Sequence, residues 1–177
     1  KNIWYNGVRK TNDSYWNFFW DKMHAEGAEY WQVNTATTRI VASTTIRILY
    51  PDHDVASSPR VPGSTKDTGD NNTSIIFRLE NGDSSVLMTG DMEIPLENYL
   101  LKVASSSVRA NILKVGHHGS NSSSEQPFLD AVQPQVATIS VGKDNSYGHP
   151  TLRVLRRLER IGATIFRTDL LGDITYS

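Results

Sequence analysis

Residues 84–120 read SSVLMTGDMEIPLENYLLKVASSSVRANILKVGHHGS. Two short apolar runs, 85–89 and 111–115, flank a stretch with helical spacing over 95–104. Pro95 suits the first turn of that helix, where a missing N–H costs nothing. Each apolar run ends in a break: Gly90-Asp91 after the first, and Gly116-His117-His118-Gly119 after the second. A strand, one helix and another strand of this length make a crossover unit, with parallel strands whose ends meet at one sheet edge. Asp91 and His118 are therefore expected at neighbouring strand ends, carboxylate and imidazole converging on one point. If the second strand runs on into the histidines, their side chains alternate and only one can face Asp91. Gly116 and Gly119 allow a tight bend close to a ligand.

Working outward, TSIIFRLENGDSSVLMTGD reads as a hairpin, with strand 73–80, a turn at Asn81-Gly82 and strand 85–89. Downstream, SSSEQPFLDAV is predicted to be a helix in which Ser122 and Glu125 have capping-box spacing. QVATISVG follows as a buried strand, and a helix spans 150–161, opening at Pro150 and stopping at Gly162; ATIFRT and DITYS close the chain as strands. Upstream lie a short strand NIWY, the helix SYWNFFWDKMHAEG capped by Asp13 or Ser14, strands EYWQV and TTIRILYP, and one long loop, 51–71. Strands alternating with helices through the second half predict a layered α/β architecture.

The 177 residues fit one domain with a real core. A formal net charge of −1 gives no global attraction to nucleic acid or anionic membrane, so any such affinity must be local. With no cysteine, disulfides, thiolate catalysis and Cys-type zinc sites are excluded, and a metal site must use His, Asp, Glu or Asn. No apolar run approaches a membrane span, and the first ten residues do not form a signal peptide.

Polar residues gather in loops after strands, where function concentrates. Asp91 reads as a turn residue or as a carboxylate able to bridge two divalent ions. His117 and His118 divide between a metal ligand and a group that contacts substrate or orients its neighbour. His149, at a helix start, is favoured in the neutral form that binds metal or a phosphate oxygen. Ser120, Asn121 and Ser122 lead into a helix whose free N–H groups suit an anion, or they simply cap it. His24 and His53 read as structural or exposed.

In order and spacing, NNTSIIFRLENGDSSVLMTGDM, ANILKVGHHGSNSSSEQPFLDAVQPQVATISVG and NSYGHPTLRVLRRLERIGATIFRTDLLGDI resemble the metallo-β-lactamase-fold domain of the ComEC competence proteins. The resemblance covers residues 70–177 well and the first 70 loosely. It implies a four-layer αββα sandwich with two divalent metals, zinc or manganese, at the sheet edge. By position Asp91 matches the bridging carboxylate and His118 a metal-ligating histidine, with His117 beside it as a catalytic group or second ligand. Asp70, with Asn72, occupies the region of another ligand. Lys114, His149 and Ser120 match polar positions around a phosphate.

The superfamily's H-x-H-x-D-H loop is absent. The expectation is that this chain is the second half of an αββα sandwich, a single partial domain over 1–177, whose missing N-terminal half lies upstream of Lys1. Alone it should bind metal weakly or not at all. The implied function is a metal-dependent phosphodiesterase, nuclease-like, with DNA as substrate. The parent would be a bacterial protein carrying membrane segments, extracytoplasmic or membrane-associated. A phosphorylcholine-type esterase and a degenerate, non-catalytic binding domain are the alternatives. All four tryptophans lie within the first 31 residues, as core or as a stacking or choline-binding platform. Arg153, Arg156, Arg157 and Arg160 make a solvated helix face or a guide for a nucleic-acid backbone.

Overall fold

The computed structural model describes residues 2–176. The chain opens with β1 (Asn2–Tyr5), α1 (Ser14–Ala25) and β2 (Glu29–Gln32). It continues through β3 (Thr37–Val41), β4 (Thr44–Tyr50), β5 (Ile76–Asn81) and β6 (Ser84–Met88). The crossover region follows as α2 (Ile94–Ala104), β7 (Ile112–Lys114), α3 (Gln126–Val132), β8 (Val136–Ile139), α4 (Leu152–Arg160) and β9 (Thr164–Arg167), and α5 (Thr168–Leu171) comes last.

β3 to β9 form one seven-stranded sheet in sequence order, antiparallel from β3 to β6 and parallel from β6 to β9. Successive right-handed crossovers advancing in one direction put their helices on a single face. That face carries a continuous apolar row: Leu87 pairs with Leu113, Leu113 with Ala137, and Ala137 with Ile165. Against it lie Leu96 and Leu100 of α2, Phe128, Leu129 and Val132 of α3, and Val154 and Leu158 of α4, all in one buried cluster. Each fully buried Leu or Val contributes roughly 1.5–3 kcal/mol, so this cluster fixes the heights of β6, β7 and β8 relative to one another.

The opposite face is also apolar, with Ile46, Phe77, Leu79, Val86, Met88, Ile112, Val136 and Phe166, all half-buried. Part of it is covered by β1 and β2, a separate parallel pair. Trp31 of β2 stacks 3.7 Å beneath the Arg39 guanidinium, and with Trp4, Ile46 and Phe77 it lines a gap of about 970 Å³ between the two sheets. α1 packs outside that pair: Trp20 meets Tyr5 edge-on, and Met23 is buried. The layers therefore run α1, β1–β2, the seven-stranded sheet, then α2–α4. This is the αββα sandwich, with its second sheet represented by two strands.

Several local expectations are corrected. β3 was not foreseen, because an edge strand with one half-buried residue and four exposed ones carries no buried-strand signature. β5 begins at Ile76 rather than 73, since Asp70–Thr73 closes a 3₁₀ turn through the Thr73 hydroxyl and the Asp70 carbonyl. The Ser122–Glu125 capping box does not form: Glu125 is the N-cap of α3 without a side-chain bond, and Ser122 is engaged elsewhere. DITYS is not a strand over its described residues. The chain turns at Thr168 into α5, and the Thr168 hydroxyl accepts from the Val141 N–H.

Candidate metal and phosphate site

Three parallel strands end at one edge, β6 in Thr89-Gly90-Asp91, β7 in Val115-Gly116-His117 and β8 in Ser140-Val141; the segment entering antiparallel β5 arrives there too. Backbone and side-chain bonds tie these ends together. The Thr89 hydroxyl donates to the Lys114 carbonyl at 2.6 Å, the His117 N–H to the Gly90 carbonyl, and the Asp91 N–H to Ser74 Oγ at 3.1 Å. Gly90, at φ +52°, passes so close that a Cβ would lie 2.8 Å from Ser74 Oγ.

The histidines do not continue β7. Gly116–Gly119 is a tight turn in which His117 (φ 44°) and His118 (φ 54°) both take left-handed backbone conformations. Such conformations in residues with a Cβ cost of order 1–3 kcal/mol each and cluster at functional sites. The turn aims the two rings differently by strain rather than by strand alternation. Their centroids are 6.3 Å apart.

His118 Nδ1 lies 2.6 Å from the Ser140 carbonyl, which only accepts, so Nδ1 carries the hydrogen. Nε2 is thereby turned toward Asp91 Oδ1, 3.4 Å away. A ring nitrogen and a carboxylate oxygen converging in this way could share one cation, and an Nδ1–H held by a carbonyl is the tautomer of a metal-ligating histidine. Asp91 and His118 are thus brought together. Lys114 Nζ donates to the Gly90 carbonyl and stands 3.7 Å from Asp91 Oδ1. Burial lowers its pKa against the raising effect of Asp91.

His117 has a different partner. Its Nδ1 is 3.1 Å from Glu93 Oε1 and 3.2 Å from Ser122 Oγ, and Ser122 donates to the same carboxylate at 2.8 Å. Glu93 also accepts from the side chains of Asn71 and Asn72. A carboxylate holding Nδ1–H turns Nε2 outward as a base or ligand. Glu93 escapes a sequence reading because an acid opening a helix resembles an ordinary cap. It is the N-cap of α2, yet its side chain makes no cap bond. The sequence signal was only an acid two residues after Asp91.

The remaining expected residues spread around this centre. The His149 ring lies 5.8 Å from that of His117 and stacks on Tyr147; burial, then the neighbouring His117 and His118, lower its pKa. Asn145 holds His149 on both sides, accepting from its N–H and donating to its carbonyl. Ser120 is buried, with its hydroxyl 3.0 Å from that of Ser122, so it braces the turn behind Glu93. Asp70 is mostly exposed and ion-paired with Lys10 at 2.7 Å, but it opens on the same cavity as Asp91. Among the described residues no three His, Asp or Glu side chains form a ligand cluster. The donor set fits half of a metal site, a carboxylate and one imidazole.

Residues 24–143 match the model of the metallo-beta-lactamase superfamily. The chain is 42 % identical over 106 residues to ComE operon protein 3 of Bacillus subtilis, covering 60 % of this chain and 14 % of that protein. It is 37 % identical over 115 residues to Competence protein ComA of Neisseria gonorrhoeae, covering 65 % and 17 %, and 33 % identical over 113 residues to Recombination protein 2 of Haemophilus influenzae, covering 64 % and 14 %. The chain therefore spans about a seventh of the length of these relatives. Among solved structures, a CmlA beta-hydroxylase mutant superposes with a TM-score of 0.51 at 13 % identity, over 79 % of this chain and 32 % of that one, a likeness of fold. With a superfamily match across two thirds of its length and an αββα layering that gathers Asp91 and His118 at one sheet edge, the chain belongs to the metallo-beta-lactamase superfamily.

Proposed function

We propose that this domain is the catalytic portion of a metal-dependent phosphodiesterase, nuclease-like, acting on DNA during its uptake by a bacterial cell. The observation that carries the reading is the Asp91–His118 pair, two lone-pair donors 3.4 Å apart with the imidazole tautomer already fixed. Divalent zinc or manganese bound there, as the superfamily implies, supplies Lewis-acid charge and lowers the pKa of water. Asp91, His118 and, across the same cavity, Asp70 are the residues that would hold it. His117, braced by Glu93, has an outward Nε2 able to take or give a proton at the reacting oxygens. His149, whose pKa burial lowers, offers a nitrogen to a phosphate oxygen or to the departing one, and Lys114 adds positive charge beside Asp91.

The uncovered part of the sheet supports a second element of the reading. Val86, Met88, Ile112 and Val136 make a half-buried apolar face, Tyr176 packs edge-on against the neighbouring Phe166, and among the described residues β1 and β2 are paired only with each other. Strands from a preceding half of the same domain would extend that pair, cover the face and bring further ligands. No described helix is long and apolar enough to cross a membrane. We place the domain, as part of a competence protein, outside the cytoplasm beside membrane segments contributed by the rest of the polypeptide.

The test is hydrolysis of a generic phosphodiester by the full-length polypeptide, with and without chelator. Activity lost on chelation and restored by zinc or manganese is the expected result. Chelator-resistant hydrolysis, or hydrolysis of phosphorylcholine esters alone, would contradict it.

A further inference from the structure

We propose that the site takes a single strand of nucleic acid, with one base stacked on Trp16 and the next on Tyr147, the linking phosphate lying at Asp91 and His118. The proposal rests on the phosphodiesterase reading for where the phosphate sits, and deepens it by naming what occupies both ester arms.

Two separate cavities open from the same point. One, of about 330 Å³, is lined by Asn6, Lys10, Trp16, Asn71 and Asp91 among others. The other, of about 180 Å³, is lined by His118, Val141, Asn145, Tyr147 and His149 with Gly142. They share no residue, but Asp91 lines the first and His118 the second, and these two side chains are 3.4 Å apart. A phosphate monoester has one organic arm and needs one such cavity. Two cavities diverging from the reacting point match a diester with a group on each side.

Each cavity carries an aromatic face. Tyr147 is 81 % exposed and lies nearly parallel to the His149 ring, 5.9 Å away, which supports one face and leaves the other to solvent. Trp16 is tilted against Phe19 and Trp20 on α1, which hold the indole from behind. Its Nε1 is buried and has no hydrogen-bond partner. Choline recognition needs several aromatic faces around the cation, and this cavity has one, that of Trp16. Stacking on an aromatic side chain tolerates any base, which suits uptake of DNA without regard to sequence.

The experiment compares binding of a labelled oligothymidylate with that of an abasic strand of equal length to the full-length polypeptide, in buffer containing chelator. Trp16→Ala and Tyr147→Ala should each weaken the oligothymidylate about tenfold and leave the abasic strand within about twofold. Trp16→Phe and Tyr147→Phe should keep most of the affinity. A thermal melt reports whether Trp16→Ala folds, and Trp16→Phe retains a ring against α1 if it does not. Equal weakening of both strands, no weakening of either, or displacement of the oligothymidylate by choline would overturn the proposal. Since no turnover is involved, intact base preference in a polypeptide that stays inactive after zinc or manganese is restored would sink the phosphodiesterase reading while leaving the stacking sites standing.

Discussion

At the scale of single residues, the centre depends on a turn bent against its preference. His117 and His118 both hold positive φ, and Gly119 follows at φ +82° with no room for a side chain, because a Cβ would lie 2.6 Å from Pro150 Cβ. Gly119→Ala is therefore expected to destabilise the fold by roughly 2 kcal/mol, combining the left-handed penalty with a clash against a ring that cannot rotate away. Denaturant unfolding measures it, and a change below a few tenths of a kcal/mol would show that the turn relaxes freely. His149→Ala in the full-length polypeptide should slow hydrolysis about 10²–10⁴-fold without loss of metal, the usual worth of a group assisting proton transfer. Loss of the metal in that variant would make His149 a ligand. Asp91 and His118 were legible because a carboxylate and a histidine after two parallel strands must meet at one edge. Glu93 was not, because its engagement with Asn71, Asn72, Ser122 and His117 arises only when three separate segments fold together.

At the scale of elements, the helices on the far side of the sheet are joined through one buried carboxylate. Glu97 of α2 accepts from the N–H groups of Ser124 and Glu125 at the start of α3, and Arg157 of α4 donates to the carbonyls of Ser123 and Ser124. Glu97 is 1 % exposed, and burial outweighs those two N–H donors, pushing its pKa up to about 7. An acid whose folded pKa is raised binds more protons folded than unfolded. Its effect on stability is thus most favourable below the unfolded value of 4.5 and is lost as pH rises from there to about 7. The full span corresponds to about 3 kcal/mol. Glu97→Gln should remove that slope: the difference in melting temperature between parent and variant should change steadily between pH 4.5 and 7 and level off above. A difference independent of pH would show that Glu97 is ionised throughout. Sequence periodicity found α2, α3 and α4 because each has an apolar face. It missed β3, an exposed edge, and misread Ser122, whose capping-box spacing was outcompeted by the Glu93 carboxylate.

At the scale of the molecule, the sandwich is lopsided. Among the described residues seven strands face two, and the seven-stranded sheet presents half-buried Val86, Met88, Ile112 and Val136 on the side that β1 and β2 only begin to cover. A patch of this kind binds other apolar surface. The isolated chain is expected to bind an apolar fluorescent dye, and a longer polypeptide with a complete second sheet to bind much less. Equal dye binding by both would show that the face is not covered by its own domain. The layered class was legible from alternating strands and helices, whereas the partial second sheet was not, since NIWY and EYWQV read alike whether a strand lies at an edge or a centre. The central claim is that Asp91 and His118 form part of a divalent metal site, and the most direct measurement is bound metal per protein after exhaustive dialysis of the full-length polypeptide. The account predicts stoichiometric zinc or manganese in the parent and loss of most of it in Asp91→Asn, with an unchanged melt measured in chelator; full metal content in Asp91→Asn would contradict it.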